Sequence, residues 1–333
     1  MDCSKYVGHA SQICGVEEMT LSKGKGKGMT LLEIRNGKGL SFTLSADRAM
    51  DISRMNFNGV NMGFFASCGY VAPAFYDDKG AGFLKSFTAG FLTTCGLSAA
   101  GAAHNDNGED LPLHGTISHT PCENYSYSET EDEIVIEATI IDAPPFKNKY
   151  KLSRKYICSK KENTLVLEDT IKNIGNNKIP MMILYHFNMG YPLLSENAIV
   201  KIPNNSMKPR KGHAETGVDN ALVMEKPQAN YQEMCFFYDV KENDGVASVG
   251  IFNPDINKGL KMSFDKDTLD YFTEWKMMRE YDYALGLEPA NCTPDGRAAM
   301  REEGKLRFID AGEEYKTRIK LEFTECEELV KSL

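Results

Sequence analysis

Between residues 133 and 171 the chain alternates apolar and polar residues three times, in EIVIEATII, YKLSRKYIC and NTLVLEDTI. Turn residues separate the three runs, Ala143-Pro144-Pro145 at the first break and residues 160–163 at the second. A period of two sends successive side chains to opposite faces of an extended strand, one toward a core and one toward solvent. Breaks this short suit antiparallel neighbours, because a parallel return needs a crossover of about a dozen residues. This stretch therefore commits the chain to antiparallel sheet.

The remainder is compatible with that commitment. TLLEIR and GLSFTLSADRAMDI read as strands joined by Asn36-Gly37, a strong hairpin signal. After residue 230 strand-like segments recur at short spacing: EMCFFYDV, VASVGIFN, GLKMSFD, LDYFTEWKMM, YALGLEP, KLRFID and YKTRIKLEF. No βαβ alternation and no fixed-period repeat is visible, which predicts an all-β protein, a large antiparallel sandwich or barrel. Helix is expected to stay below about 15%, against the usual third. One domain over residues 30–325 is expected, after a polar lead-in at 1–29 and before a short, helix-like tail at 326–333. The lead-in ends in KGKGKG, which lacks the GxxxxGK[ST] pattern and reads as a mobile loop or a hairpin loop.

Two stretches break the pattern. Residues 56–112 are rich in Gly, Ala and aromatics with poor periodicity, as expected of long loops that line a site. Within them HNDNGED reads as an exposed loop tip. Residues 203–230 read as polar loop.

Composition excludes several classes of function. A net charge of -9 leaves no basic face for nucleic acid. No run approaches the roughly 18 apolar residues of a membrane span, and no apolar leader opens the chain. The nine cysteines, from Cys3 to Cys326, include no CxxC pair, so reduced thiols in a cytoplasm are expected. With 42% hydrophobic residues the chain can build its own core as a monomer or homodimer.

Chemistry concentrates at a few positions. MMILYHFNMGYPLL, residues 181–194, opens as an uncharged run of the kind buried on both faces, then introduces His186 and Asn188 before Gly190 and Pro192. A histidine that loses solvent and still meets a cavity can have its pKa tuned for proton transfer; the plainer alternative is a core histidine bonded to a carbonyl. His114 sits beside Gly115 after an apolar step. Glu288 closes YALGLEPAN, where burial would raise its pKa and Pro289 would stop the strand. Arg48 and Asp51, near the end of a strand, could grip hydroxyls or form a plain ion pair. Trp275, beside Glu274, could stack on a sugar face or fill a core. Two histidines and a glutamate could also hold a metal, but no HxH or HExxH spacing signals one, and neither metal nor cofactor is expected.

Five stretches, DRAMDI (47–52), FTAGFLTTCGLSAAG (87–101), LPLHGTISHTP (111–121), LYHFNMGYPLL (184–194) and LGLEPAN (285–291), occur in an order that resembles the aldose 1-epimerase (galactose mutarotase-like) superfamily. The similarity is closest to a branch of uncharacterised bacterial proteins defined by a domain of unknown function. It covers roughly residues 30–325. The resemblance implies a β-supersandwich with a sugar cleft across one sheet, His114 and His186 as the two family histidines, Glu288 as catalytic glutamate and Arg48 as substrate-binding arginine. It leaves the family's substrate-holding aspartate without a counterpart, and Glu274 or Trp275 occupies that region. The implied activity is interconversion of sugar anomers, with Glu288 as base, His186 as acid and His114 orienting the ring oxygen, while Arg48, Asp51, Asn188, Glu274 and Trp275 contact a small-molecule sugar. A ketose–aldose isomerase or other epimerase, with or without a divalent metal, is the alternative. A sugar-binding sensor without turnover is the other.

Overall fold

Antiparallel sheets organise the chain, as the alternation requires. The computed structural model describes residues 5–333, so Cys3 lies outside the described residues. Strand accounts for 48% and helix for 9%. A five-stranded sheet runs in chain order through Gly15–Thr20, Thr30–Arg35, Leu40–Ser45, Asp51–Phe57 and Val60–Asn61. Its first strand lies inside the segment read as lead-in. That strand buries Gly15 and leaves four of its six residues exposed, which is why no apolar pattern marks it. The KGKGKG run is the hairpin turn that follows, closed by Gly28 N donating to Leu21 O at 2.7 Å.

The three alternating segments become Glu133–Asp142, Tyr150–Ser159 and Thr164–Asn173, adjacent in a nine-stranded sheet. The middle strand alternates buried and half-buried residues without a break. A six-stranded sheet holds, in spatial order, Asn204–Pro209, Met234–Val240, Tyr271–Met278, Tyr283–Ala290, Met182–Met189 and Leu92–Leu97. One buried cluster draws on all three sheets, with Phe42, Leu152, Phe264, Phe236 and Leu287 among its members.

The six-stranded sheet is covered on its second face as well. There Cys95, Met182, Leu184, Ala290 and Met300 form a smaller cluster under the loops. All residues of Met182–Met189 are buried, the expected reason for its unbroken apolar reading.

A buried polar network ties the sheets together. Arg154 reaches Asp169 (2.7 Å) and Asp51 (2.6 Å), and Tyr185 OH donates to Asp169 at 2.7 Å. Thr94 holds Asp51 through its amide (2.8 Å) and hydroxyl (2.6 Å). Tyr185 and Thr94 sit beside His186 and its cross-strand partner Thr93, so the network anchors the strands that carry the site.

Other sequence expectations change. The stretch 56–112 contains the fully buried strand Leu92–Leu97 as well as loops. HNDNGED forms a two-stranded hairpin, His104–Asp106 with Glu109–Leu111, whose Asp106 is buried against Arg297 and Arg301. Residues 203–230 include the strand Asn204–Pro209 and the 3-10 turn His213–Asn220. The tail ends in a short helix, Glu328–Lys331, that buries Val330. Among the described residues eight cysteines are free thiols, and no helix is long and apolar enough to cross a membrane.

Candidate active site

The second face of the six-stranded sheet carries the candidate residues His186, Glu288 and Trp275. Register places them there: pairing of Leu184 with Ala290 and Phe187 with Leu287 sets His186 opposite Glu288. Glu288 in turn pairs with Thr273, and Trp275 with Cys235. His186, Glu288, Trp275 and Cys235 therefore project to one side, while Tyr185 and Glu274 project to the core. His186 and Glu288 lie within their strands rather than at strand ends. Pro289 does not stop its strand, which continues to Ala290.

Above this floor lies a cavity of about 310 Å³. Phe83, Leu84 and Phe87 come from the 56–112 segment, and His114, Arg210 and Glu233 reach the cavity from other loops. His186 occupies an aromatic box, its ring centroid 5.5 Å from Phe87, 5.6 Å from His114 and 5.2 Å from Trp275. Its Nε2 is 3.2 Å from Glu288 Oε1, a contact not aligned as a hydrogen bond. His186 Nδ1 and Glu288 Oε1 find no protein partner although both are buried. Arg48 Nη2, Asn188 Oδ1 and Glu274 Oε1 are buried without a partner too, so it is the adjacency of His186 Nδ1 and Glu288 Oε1 to one cavity that sets these two apart.

Gly286 makes room for the carboxyl. A Cβ there would meet Glu288 Oε1 at 2.4 Å and Trp275 Cβ at 2.9 Å. His114 adopts φ +60°, an uncommon conformation for a non-glycine residue. Its amide donates to Gly101 O (2.7 Å), and its carbonyl accepts from Gly96 N (3.1 Å).

Burial dominates the electrostatics. It holds Glu288 well above the usual carboxylate range, with Glu233 adding to the rise. It lowers His186 to about 3, helped by His114, and lowers His114 to about 4, helped by Arg210. Burial thus favours the uncharged form of all three groups.

The structure brings His114, His186, Glu288 and Trp275 together and places the other candidates elsewhere. Arg48 is buried behind the cavity wall and donates to Ser86 O (3.0 Å) and Val71 O (3.4 Å), where it supports the Phe83–Phe87 segment from behind. Asp51 pairs with Arg154, not Arg48, on the core side. Asn188 donates to Gly90 O and His186 O and fixes the backbone. Glu274 accepts from Tyr238 OH at 2.7 Å within the core. These four act through position, and none lines the cavity.

Arg210, Glu233 and Cys235 are the lining residues that sequence reading missed. Glu233 accepts from Trp275 Nε1 at 2.8 Å, and Arg210 pairs with Asp295 at 2.9 Å. The signal for Cys235 was its register against Trp275, which a single sequence does not reveal. Among the described residues no three of His, Cys, Asp and Glu gather at metal-binding distance.

The sheets and the placement of the site on one sheet face define a galactose mutarotase-like fold. The chain belongs to the family described as a domain of unknown function (DUF4432), matched over residues 26–323. It is similar to the structure of a candidate aldose 1-epimerase from Klebsiella pneumoniae subsp. pneumoniae MGH 78578, with TM-score 0.88 and 24% identity over 95% of this chain and 85% of that one. A galactose mutarotase-like protein from Clostridium acetobutylicum aligns with TM-score 0.68 and 12% identity, covering 94% and 99%. Galactose 1-epimerase from Lactobacillus acidophilus NCFM aligns with TM-score 0.61 and 14% identity, covering 93% and 98%. No curated protein matches the chain in sequence.

Proposed function

We propose that the protein is an isomerase that interconverts the anomers of a sugar by acid–base catalysis from Glu288 and His186. The observation that carries this reading is the buried 3.2 Å contact between them at the floor of an aromatic-walled cavity. General acid–base catalysis needs a donor and an acceptor within reach of the same substrate, and surroundings that push two proton affinities apart mark which group is the acid and which the base. Burial supplies that shift here, and it favours roles opposite to those implied by the family resemblance.

Glu288, protonated at rest, gives its proton to the ring oxygen. Neutral His186 takes the proton of the anomeric hydroxyl. The bond between the anomeric carbon and the ring oxygen breaks, leaving an open-chain aldehyde, a Glu288 carboxylate and a His186 imidazolium. The aldehyde turns about its bond to the next carbon. Closure on the other face reverses both transfers and restores the starting protonation. Trp275 and Phe87 provide apolar faces for the ring, and Arg210, Glu233 and His114 offer hydrogen bonds to its hydroxyls.

The test follows anomer interconversion and ketose–aldose isomerisation together by NMR over a panel of aldoses. Glu288→Gln and His186→Asn should each slow interconversion by at least about 10²-fold, with sugar affinity largely kept. Wild-type rates in both variants would reject the pair. Binding without interconversion in the wild type would make the protein a sugar sensor instead.

A further inference from the structure

A second cavity, of about 440 Å³, opens on the same sheet face beside the first. The two meet at an ion pair, since Arg210 lines the first and Asp295 the second. Both partners are more than a third exposed, and such a pair contributes about 0–1 kcal/mol, so it separates the cavities only weakly.

The sheet register shows how the cavities are joined. Thr93 pairs with His186, His186 lies opposite Glu288, Glu288 pairs with Thr273, Thr273 with Phe237, and Phe237 with Lys208. One row of side chains thus crosses all six strands on one face. Within it His186 and Glu288 floor the catalytic cavity, and Thr273, Phe237 and Lys208 line the second. Strands lie about 4.8 Å apart, so Phe237 stands about 10 Å along the row from Glu288. Phe237 and Tyr271 are half-buried there, toward the edge strand Asn204–Pro209, which buries none of its residues. Around them stand Ser206, Asp239 and Asp270, and Asp270 Oδ1 is a buried acceptor without a partner. Half-buried aromatic rings amid hydrogen-bonding side chains make a platform suited to an apolar sugar face with hydroxyl edges.

From this row we infer that the second cavity is a subsite for a further sugar unit, so that the protein accepts a linked disaccharide with its reducing ring over His186 and Glu288 and its second ring over Phe237. This deepens the proposed function, because it takes the first cavity as the site of the reducing ring. The linkage would run between Trp275 and the Arg210–Asp295 pair, whose side chains could turn to the ligand at small cost.

The experiment measures binding to the full chain by calorimetry, and anomer interconversion by NMR, for glucose, galactose, maltose, cellobiose and lactose. The inference expects at least one disaccharide to bind more tightly than its reducing-end monosaccharide. Phe237→Ala should weaken that disaccharide about 5- to 10-fold, the loss of one aromatic contact, and change the monosaccharide less than twofold. Lys208→Ala, at an exposed edge position that folding tolerates, should also weaken the disaccharide selectively. Disaccharide binding with this sensitivity but no interconversion would uphold the subsite and reject the catalytic reading. Interconversion of monosaccharides, with affinity independent of chain length and of both variants, would overturn the subsite alone. No sugar binding would overturn both.

Discussion

Glu288 and His186 each pay for their position in the cavity wall, the first by keeping a proton and the second by refusing one. The sign of the pH dependence follows from that. Burial favours the protonated form of Glu288, and His186, lowered to about 3, stays neutral until strongly acid solution; the proposed roles require Glu288 to keep its proton through neutral pH and to ionise on the alkaline side. With Glu288 as acid and His186 as base, activity is expected to be level across neutrality. It should fall in alkali as Glu288 loses its proton, and below about pH 4 as His114 and His186 gain theirs. Reversed roles would demand an ionised Glu288 and would put its limb on the acid side. Carbon-13 NMR of the glutamate carboxyls, with Glu288→Gln for assignment, decides between them, because an ionised Glu288 at pH 7 would reject the roles proposed. The identities of these residues could be read from motif order. Their protonation could not, since it depends on Phe87, Trp275 and His114 closing around them from segments far apart in sequence.

At the scale of elements, the site depends on how neighbouring strands present their side chains. Gly286 is the clearest case. Between Glu288 and Trp275 it leaves the space that a methyl group would take from the carboxyl. Gly286→Ala is expected to push Glu288 off its position and lower turnover by about 10²-fold, the usual cost of an ångström of misplacement. Circular dichroism should show the sheet intact, and a fully active variant would show that the carboxyl has slack. Strand existence was legible where apolar and polar residues alternate, as in Tyr150–Ser159, and not where almost no residue is buried, as in Gly15–Thr20 and Asn204–Pro209. It was less legible where both faces are covered. Met182–Met189 gave a buried run without revealing which residues shared a face with Glu288. Register turns Asp51 and Glu274 toward the core, whereas Arg48 sits in a turn behind the wall and Asn188, on the His186 face, is tied to backbone carbonyls, placements that residue type alone does not reveal.

Across the whole molecule, Arg154 is the tie between sheets. It carries one positive charge against two buried carboxylates, Asp51 and Asp169, and through Thr94 and Tyr185 it reaches both strands beside His186. Arg154→Met removes the counter-charge and leaves the carboxylates facing each other away from water. A loss of about 3–5 kcal/mol in denaturant unfolding is expected. Tyr185→Phe, which removes one donor to Asp169, should cost about 1–3 kcal/mol. If Arg154→Met unfolds at the wild-type midpoint, the tie is not holding the sheets. Arg154 falls on the buried phase of its alternating strand, in step with Tyr150, Leu152, Tyr156 and Cys158, but the alternation does not name the carboxylates that pair with it.

The chemistry stands on a floor hydrogen-bonded on both flanks and pinned from beneath, while the ceiling is assembled from loops in the 56–121 region. A floor of that kind has little freedom to drift during evolution, since a one-residue slip of either strand would turn its catalytic candidate, His186 or Glu288, into the core. The ceiling carries no such restriction. Within one lineage, proton transfer would then be inherited nearly unchanged while the accepted sugar diversifies by exchange of residues 80–87 and 101–103. Kinship in reaction and kinship in substrate would therefore be recorded in different parts of the same chain.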